Sequence, residues 1–166
     1  NNIISILSGQ TSGSVTFTVN NDTLLEGAET VLLTMSNPSA GLILGLTTTQ
    51  NIGITDNESA TLAIAATSSV AEQGGAQSVG VVTLTIGGTG TGTFALGDGI
   101  SLTADVVDAG TGTASSATDY AAFGTQTVTF NGGAASGATR NTTLSPVNDR
   151  LLEGNETVAL ALQNLN

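Results

Sequence analysis

Hydrophobic and polar residues alternate along most of the chain. In SVTFTVN (residues 14–20), Val15, Phe17 and Val19 share one face of an extended chain, and threonines occupy the other. The same period of two recurs in TVLLTMS, ATLAIAA, VGVVTLTI, ISLTADVV, QTVTF and TVALALQ. Such short runs, rich in β-branched residues and bounded by Gly, Asn or Asp, are typical of half-buried strands. No window has a helical period, so we predict an all-β fold, and the many short strands favour an antiparallel β-sandwich.

Two glycine-rich stretches interrupt this pattern. They are GGTGTGTFALGDG (residues 87–99) and FNGGAASGAT (residues 130–139). Both are predicted to be loops. A flexible linker is the alternative for the first, but strand-like sequence flanks it closely, which favours a long loop within one domain.

One segment of the chain is repeated. NDTLLEGAETVLL (residues 21–33) returns as NDRLLEGNETVAL (residues 148–160), with ten of thirteen positions identical. The offset of 127 residues is too long for a small solenoid and indicates tandem domains. Because the chain has only 166 residues, we expect the first domain to retain only the strands after its motif and the second to retain mainly the strands before its motif.

The charge of the chain is strongly one-sided. Thirteen acidic residues face two arginines, Arg140 and Arg150, with no lysine or histidine, and the net charge is −11. Such a chain has no basic patch for nucleic acid or for an anionic membrane surface. A divalent cation is the natural counter-charge for it.

Several classes of site and segment have no support in the sequence. The absence of cysteine excludes disulfides and thiolate metal sites. No apolar run approaches the roughly 20 residues that span a bilayer, so we expect no membrane insertion. No signal peptide is recognisable at the start, and we interpret the chain as an internal or processed piece of a longer protein.

Five motifs in order along the chain resemble the Calx-β family. These β-sandwich domains occur in sodium–calcium exchangers, integrin subunits and large bacterial surface and adhesive proteins. The motifs are NPSAGLILG and IGITDNE in the first copy, then SVAEQGG, GTASSATDY and TVTFNGGAASGATRNTTLSPVNDRLLEGNETVALAL in the second.

The resemblance implies two partial tandem repeats. Residues 1–58 would be the last three strands of one repeat, and residues 59–166 the first six strands of the next. The family further implies an extracellular or cell-surface location and a structural or adhesive role. Neighbouring repeats or identical subunits would then be the partners, beside a glycan or protein target of adhesion that the sequence does not identify.

Ten of the thirteen carboxylates lie in or beside these motifs. In the family the motifs converge at one end of the sandwich, where like charges repel by about 1 kcal/mol per pair or more near a surface. Calcium binds six to eight oxygens in irregular loop geometry and suits such a cluster better than magnesium. The resemblance implies two Ca²⁺ sites, one formed by Glu72, Asp119, Asp149, Glu153 and Glu156, the other by Asp22, Glu26, Glu29, Asp56 and Glu58.

Two other interpretations of the acidic loops stay open. The chain lacks the runs of consecutive Asp found in the strongest calcium-binding members, and Arg150 stands where an acid is common, so a salt bridge is one alternative. The other is purely structural, because Asp in a turn accepts hydrogen bonds from nearby backbone N–H groups.

Other functions are less well supported by the residues. Paired glutamates occur in glycosidases, but the chain has no Trp and one Tyr to bind a sugar, and no His or Cys for other hydrolase chemistry. We therefore predict no enzymatic activity. Calcium sensing, as in exchangers, is a weak alternative because the Asp runs are missing. Four Asn-x-Ser/Thr sequons allow glycosylation, at Asn21, Asn57, Asn141 and Asn155.

A self-assembling filament subunit is the main alternative to a calcium-stiffened module. The second repeat lacks a closing strand, and the segment TTTQNIGITDNE (residues 47–58) has the sequence of one. Donation of that strand by a neighbour would complete the sandwich and cover an exposed sheet edge.

Overall fold

The computed structural model describes residues 2–73 and 75–166, so Asn1 and Gly74, the latter within SVAEQGG, lie outside the described residues. These residues contain strands and no helices, which confirms the predicted all-β fold, and none of them forms a helix that would cross a membrane. In chain order the ten strands are β1 (Leu24–Leu25), β2 (Glu29–Thr34), β3 (Thr49–Ile54), β4 (Ser59–Ile64), β5 (Gln77–Gly87), β6 (Ala95–Leu96), β7 (Ser101–Asp108), β8 (Gln126–Asn131), β9 (Thr139–Leu144) and β10 (Leu160–Gln163).

Two three-stranded antiparallel sheets enclose the hydrophobic core. Their strand orders are β4-β5-β9 and β10-β7-β8. The inward residues alternate along each central strand, as the period of two predicts. Eight buried residues form the core: Val82, Leu84, Ile86, Leu96, Ala104, Val106, Val128 and Phe130. Residues 59–166, which we call the second part of the chain, therefore form a β-sandwich; residues before 59 are the first part. The strand pattern is common to many β-sandwich families.

A smaller apolar cluster closes one end of this sandwich. Val79, Tyr120 and Leu144 are buried together there. The Tyr120 hydroxyl donates a hydrogen bond to the Asp108 carboxylate at the end of β7. This bond, followed by partial desolvation and the charge of Asp108, raises the pKa of Tyr120 to about 12. Tyr120 thereby anchors the loop that carries Asp119.

The first part of the chain has no buried core among its described residues. Strands β2 and β3 pair antiparallel over six residues, but no other strand of the described chain extends their sheet. Every described residue before Ser59 is at least partly exposed. Large apolar side chains remain in water, among them Ile3 at 82% exposure and Leu32 at 62%. Among the described residues, no second sheet covers this hydrophobic layer.

Strands β1 and β6 join the two parts of the chain. They pair in parallel, with Leu24 opposite Ala95 and Leu25 opposite Leu96. The N–H groups of Ala95 and Gly97 donate to the carbonyls of Thr23 (3.1 Å) and Leu25 (2.8 Å). The Asn21 side chain donates to the Thr89 carbonyl at 2.6 Å.

Glycines in residues 87–99 allow this close contact. A Cβ on Gly90 would lie 2.8 Å from the Asp22 carbonyl oxygen, and one on Gly97 would lie 2.7 Å from Glu26 Cγ. The stretch was predicted to be a loop within one domain. It is mostly loop, but it also contains β6 and serves as the docking surface for the loop around residue 22.

The prediction of a strand in SVTFTVN (residues 14–20) is wrong. The segment has the alternating pattern but forms no strand, and Phe17 and Val19 are 43% and 53% exposed. A strand needs a neighbour for its backbone hydrogen bonds, and no strand of the described chain pairs with this segment. Strand β10 is shorter than the predicted TVALALQ run because it pairs regularly with β7 only from Leu160. The predicted boundary at residue 59 coincides with the start of β4, and the division into two repeats stays a prediction.

Candidate functional site

The two predicted sets of carboxylates each line one cavity. The first set, which we call the junction cluster, comprises Asp22, Glu26, Glu29, Asp56 and Glu58, and its cavity of about 570 Å³ lies in the first part of the chain. The second set, the cleft cluster, comprises Glu72, Asp119, Asp149, Glu153 and Glu156, and its cavity of about 870 Å³ lies at the end of the sandwich near Tyr120. No residue of either predicted set lies outside its cavity.

Backbone pairing next to Tyr120 positions Asp119 in the cleft cluster. Tyr120 bridges to Pro146, and the Asp119 carbonyl accepts a hydrogen bond from the Val147 N–H at 2.9 Å. One carboxylate oxygen of Asp119 accepts the Ser115 N–H at 2.6 Å. The residue is half-buried and held at both backbone and side chain, so its carboxylate is the most fixed member of the cluster.

The repeated loop brings the other members to Asp119. The Asp149 N–H donates to Glu72 at 2.9 Å, which links the loop to the segment before β5. Thr157 and Thr113 then exchange hydrogen bonds, with the Thr157 N–H donating to the Thr113 hydroxyl at 2.9 Å. Glu153 and Glu156 lie between these two attachments and are exposed.

Three carboxylates of the cleft cluster have the spacing of a cation site. One oxygen each from Asp119, Glu153 and Glu156 lie within 4.8 Å of one another. Oxygens that bind one calcium ion at 2.3–2.6 Å are at most about 5 Å apart. These three side chains thus have close to the spacing that a shared cation requires. Within the described residues, the junction carboxylates do not form such a set.

The charges around the cleft cluster oppose ionisation. Partial desolvation, then the charges of Asp149, Asp119 and Glu72, raises the pKa of Glu153. Desolvation, the Asp119 charge and a hydrogen bond with that carboxylate raise the pKa of Glu156. Arg150 is exposed and is not among the groups that shift either pKa. The alternative of a salt bridge from Arg150 therefore gains no support from these two shifts and stays an interpretation.

Asp56 is the centre of the junction cluster. One of its oxygens accepts the Glu26 N–H at 2.5 Å and the other accepts the Glu58 N–H at 3.2 Å. Desolvation acts to raise the pKa of Asp56, but hydrogen bonds from the Glu58 side chain and from backbone N–H groups outweigh it and lower that pKa. The shared hydrogen bond, together with desolvation and the charges of Asp56 and Asp22, raises the pKa of Glu58.

Asp98 is a further carboxylate that the motifs did not reveal. It lies in the glycine-rich stretch between β6 and β7. Desolvation is the largest cause of the raised pKa of Glu26, followed by the charges of Asp22, Glu29, Asp56 and Asp98. The second part of the chain thus adds a charge to a cluster built by the first. The only signal in the sequence was its position in a stretch whose glycines permit close approach.

The aspartates of the repeated loop also have a local structural role. Asp22 accepts the Leu24 N–H at 2.9 Å, and the equivalent Asp149 accepts the Leu151 N–H at 2.6 Å. This turn agrees with the structural interpretation of both residues. It uses one oxygen of each carboxylate and leaves the other free.

The chemistry of both clusters is that of hard oxygen donors. Carboxylates from separate loops suit a divalent cation, and the chain contains no histidine or cysteine to add nitrogen or sulfur ligands. Comparisons of the chain with protein-family models, curated proteins and solved structures found no match. The similarity to Calx-β domains therefore stays a prediction.

Proposed function

We propose that the chain is a non-enzymatic structural or adhesive module of tandem β-sandwich repeats, stiffened by calcium at its acidic loops and exposed at a cell surface or secreted. The observation that carries the proposal is that one carboxylate oxygen from each of Asp119, Glu153 and Glu156 lies within 4.8 Å of the others, where desolvation and neighbouring carboxylates raise the pKa values of both glutamates.

Calcium binding in the cleft would join three segments of the sandwich. Asp119 belongs to the loop anchored by Tyr120, Glu153 and Glu156 belong to the repeated loop, and Glu72 precedes β5. A cation there replaces mutual repulsion with a shared ligand and so links these loops. Because a ligand that binds only the folded state adds RT ln(1 + [L]/Kd), calcium at 100 times its Kd stabilises by about 2.7 kcal/mol.

A second cation position is proposed at the junction cluster, although its carboxylates do not converge on a common point among the described residues. Its five carboxylates come from the first part, and the charge of Asp98, from the second part, acts on Glu26. A cation bound there would reduce their repulsion and strengthen the β1–β6 contact. The module would then resist bending between repeats, which is the property required of a stalk.

Thermal unfolding with calcium or with EGTA tests this proposal. We expect calcium to raise Tm by about 5–10 °C at saturation, since 1 kcal/mol corresponds to about 2–4 °C for a chain of this size. Magnesium is expected to give a smaller shift because it demands stricter octahedral geometry. An unchanged Tm, or an equal response to both ions, would contradict a calcium-specific role.

Matched carboxylate variants locate the effect. Glu153→Gln with Glu156→Gln removes two cleft carboxylates, and Asp105→Asn removes a carboxylate that instead binds Thr127 and Asn164. The calcium-dependent part of the Tm should shrink in the first variant and persist in the second, whatever each does to the Tm in EGTA. Equal calcium responses in both variants would exclude the cleft as the site.

A further inference from the structure

Strand β10 leaves one edge of its sheet unpaired. The sheet order is β10-β7-β8, and β10 has no other strand neighbour among the described residues. Leu160 and Leu162 pack against the main core, so the strand is held in place despite its short length. Its outer N–H and C=O groups form a template for another strand.

The internal repeat identifies which kind of strand fits this edge. The offset of 127 residues aligns Val31, Leu33 and Met35 of the first copy with Val158, Leu160 and Leu162 of the second. In the first copy, β2 pairs with β3. The segment that forms β10 thus has a counterpart in the first copy, β2, which pairs with β3.

The alternation of hydrogen-bonded residues along β2 shows which of its backbone groups bond to β3. The Met35 N–H donates to the Thr48 carbonyl at 2.7 Å. Opposite residues in an antiparallel pair alternate between bonded and non-bonded. Leu33 opposite Gln50 and Val31 opposite Ile52 follow the same register as Met35 and Thr48. Residues 31, 33 and 35 therefore direct their backbone groups toward β3.

In and just before β10, the backbone N–H and C=O groups of the equivalent residues point away from β7. The Ala109 N–H donates to the Ala159 carbonyl at 2.8 Å, so Ala159 faces β7. The register places Ala161 opposite Val107 and Gln163 opposite Asp105, with the same parity. Residues 158, 160 and 162 then face the open edge. This edge is the counterpart of the one that β2 uses for β3.

We propose that the open edge of β10 binds strand β3 of a second copy of the chain, with Val158 opposite Ile52 and Leu160 opposite Gln50. The occupant is a second copy because each copy carries this strand in a sheet that lacks a covering layer among the described residues. Transfer of β3 from its own β2 to this edge places Ile52 beside Val158 and Gln50 beside Leu160, and it extends the sandwich by one strand.

Association has a clear driving force. The first part of each copy exposes large apolar side chains, and each Å² of this surface that association buries would contribute about 25 cal/mol. Leu32, Leu46 and Ile43 are 62%, 107% and 96% exposed. Self-assembly by strand donation does not require calcium, so the experiments below are done in EGTA.

A synthetic peptide of residues 46–57 (LTTTQNIGITDN) tests the edge and the register. We expect it to bind the chain and to slow hydrogen exchange at the Leu160 and Leu162 amides. N-methylation at Gln50 and Ile52, which face the edge, should abolish binding. N-methylation at Asn51 and Gly53, which face the opposite side, is the matched control and should preserve it. No binding, or an equal loss with both modified peptides, would overturn the proposal.

Engineered thiols test the second copy as the occupant. The chain has no cysteine, and the proposed register places Ala161 opposite Thr49 in a non-bonded pair, whose Cα separation of about 4.5 Å suits a disulfide. Mixing Ala161→Cys with Thr49→Cys chains should give a disulfide-linked heterodimer. Mixing Ala161→Cys with Gln50→Cys, on the other face of β3, should give much less. Equal yields, or peptide binding without the heterodimer, would refute a second copy as the partner, while the calcium response of Tm would be unaffected.

Discussion

Substitution of Gly90 by alanine is a direct test of the contact between the two parts of the chain. The added Cβ would lie 2.8 Å from the Asp22 carbonyl oxygen and 2.9 Å from Thr23 Cγ2. Ordinary contacts begin near 3.4 Å, so the Asp22 backbone must move by roughly half an ångström. Overpacking of this kind typically costs about 1–3 kcal/mol. The nearby bond from Asn21 to the Thr89 carbonyl would be strained by the same movement.

Gly87 provides a matched control for this substitution. A Cβ at Gly87 meets no atom within 4 Å. Gly87→Ala should therefore leave the contact intact, and any change should come from the smaller freedom of the unfolded chain, about 0.4–1 kcal/mol of stabilisation. The two variants share the same chemical change and differ in what the new methyl group meets.

Amide hydrogen exchange measures the effect at the contact itself. The Ala95 and Gly97 amides donate to the first part of the chain, and the Leu84 amide donates to Ala138 within the second. A loss of 1–3 kcal/mol at the contact corresponds to exchange about 5–150 times faster at Ala95 and Gly97. Leu84 should be unchanged in Gly90→Ala. Equal exchange at Ala95 in the two variants would refute the docking role of the glycine-rich stretch.

Three further predictions concern the sandwich and its charges. Phe130→Ala should destabilise the chain by about 3–5 kcal/mol in urea unfolding, because Phe130 is fully buried, whereas Phe17→Ala should change stability by about 0.5 kcal/mol or less. In EGTA, stability should rise as the pH falls through the raised pKa values of Glu153 and Glu156, because protonation removes repulsion, and Glu153→Gln should reduce that rise. At still lower pH the stability of the unmodified chain should fall again. Hydrogen bonds to the ionised carboxylates of Asp105 and Asp108 lower their pKa values, and protonation removes this stabilisation. Tyr120→Phe should cost about 1.5–3 kcal/mol by removing the bond to Asp108, and a cost within error would show that this bond does not anchor the loop.

The alternation of side chains predicted the central strands well. In β5, β7 and β8, inward residues such as Leu84, Val106 and Phe130 are buried and lie within the predicted runs. A period of two encodes which face of a strand is apolar, and this information is local. It does not encode whether a neighbour exists, and for that reason residues 14–20 have the pattern without the strand.

Long-range contacts explain the features that the sequence did not predict. Strands β1 and β6 have two residues each and exist only because loops about 70 residues apart meet there. The charge of Asp98 acts on Glu26 of the junction cluster because of the same contact. No local pattern signals such a meeting, since the glycines that permit it resemble those of any flexible loop.

The two copies of the repeated loop show how far its own sequence determines its chemistry. The turn is the same in both, because Asp22 and Asp149 accept the N–H two residues further on. The surroundings differ: the first copy lies against Gly90 and Gly97, and the second lies beside Asp119. Only the second brings three carboxylates to a common point among the described residues. The loop therefore supplies glutamates on a rigid turn, and the segment packed against it determines whether they converge.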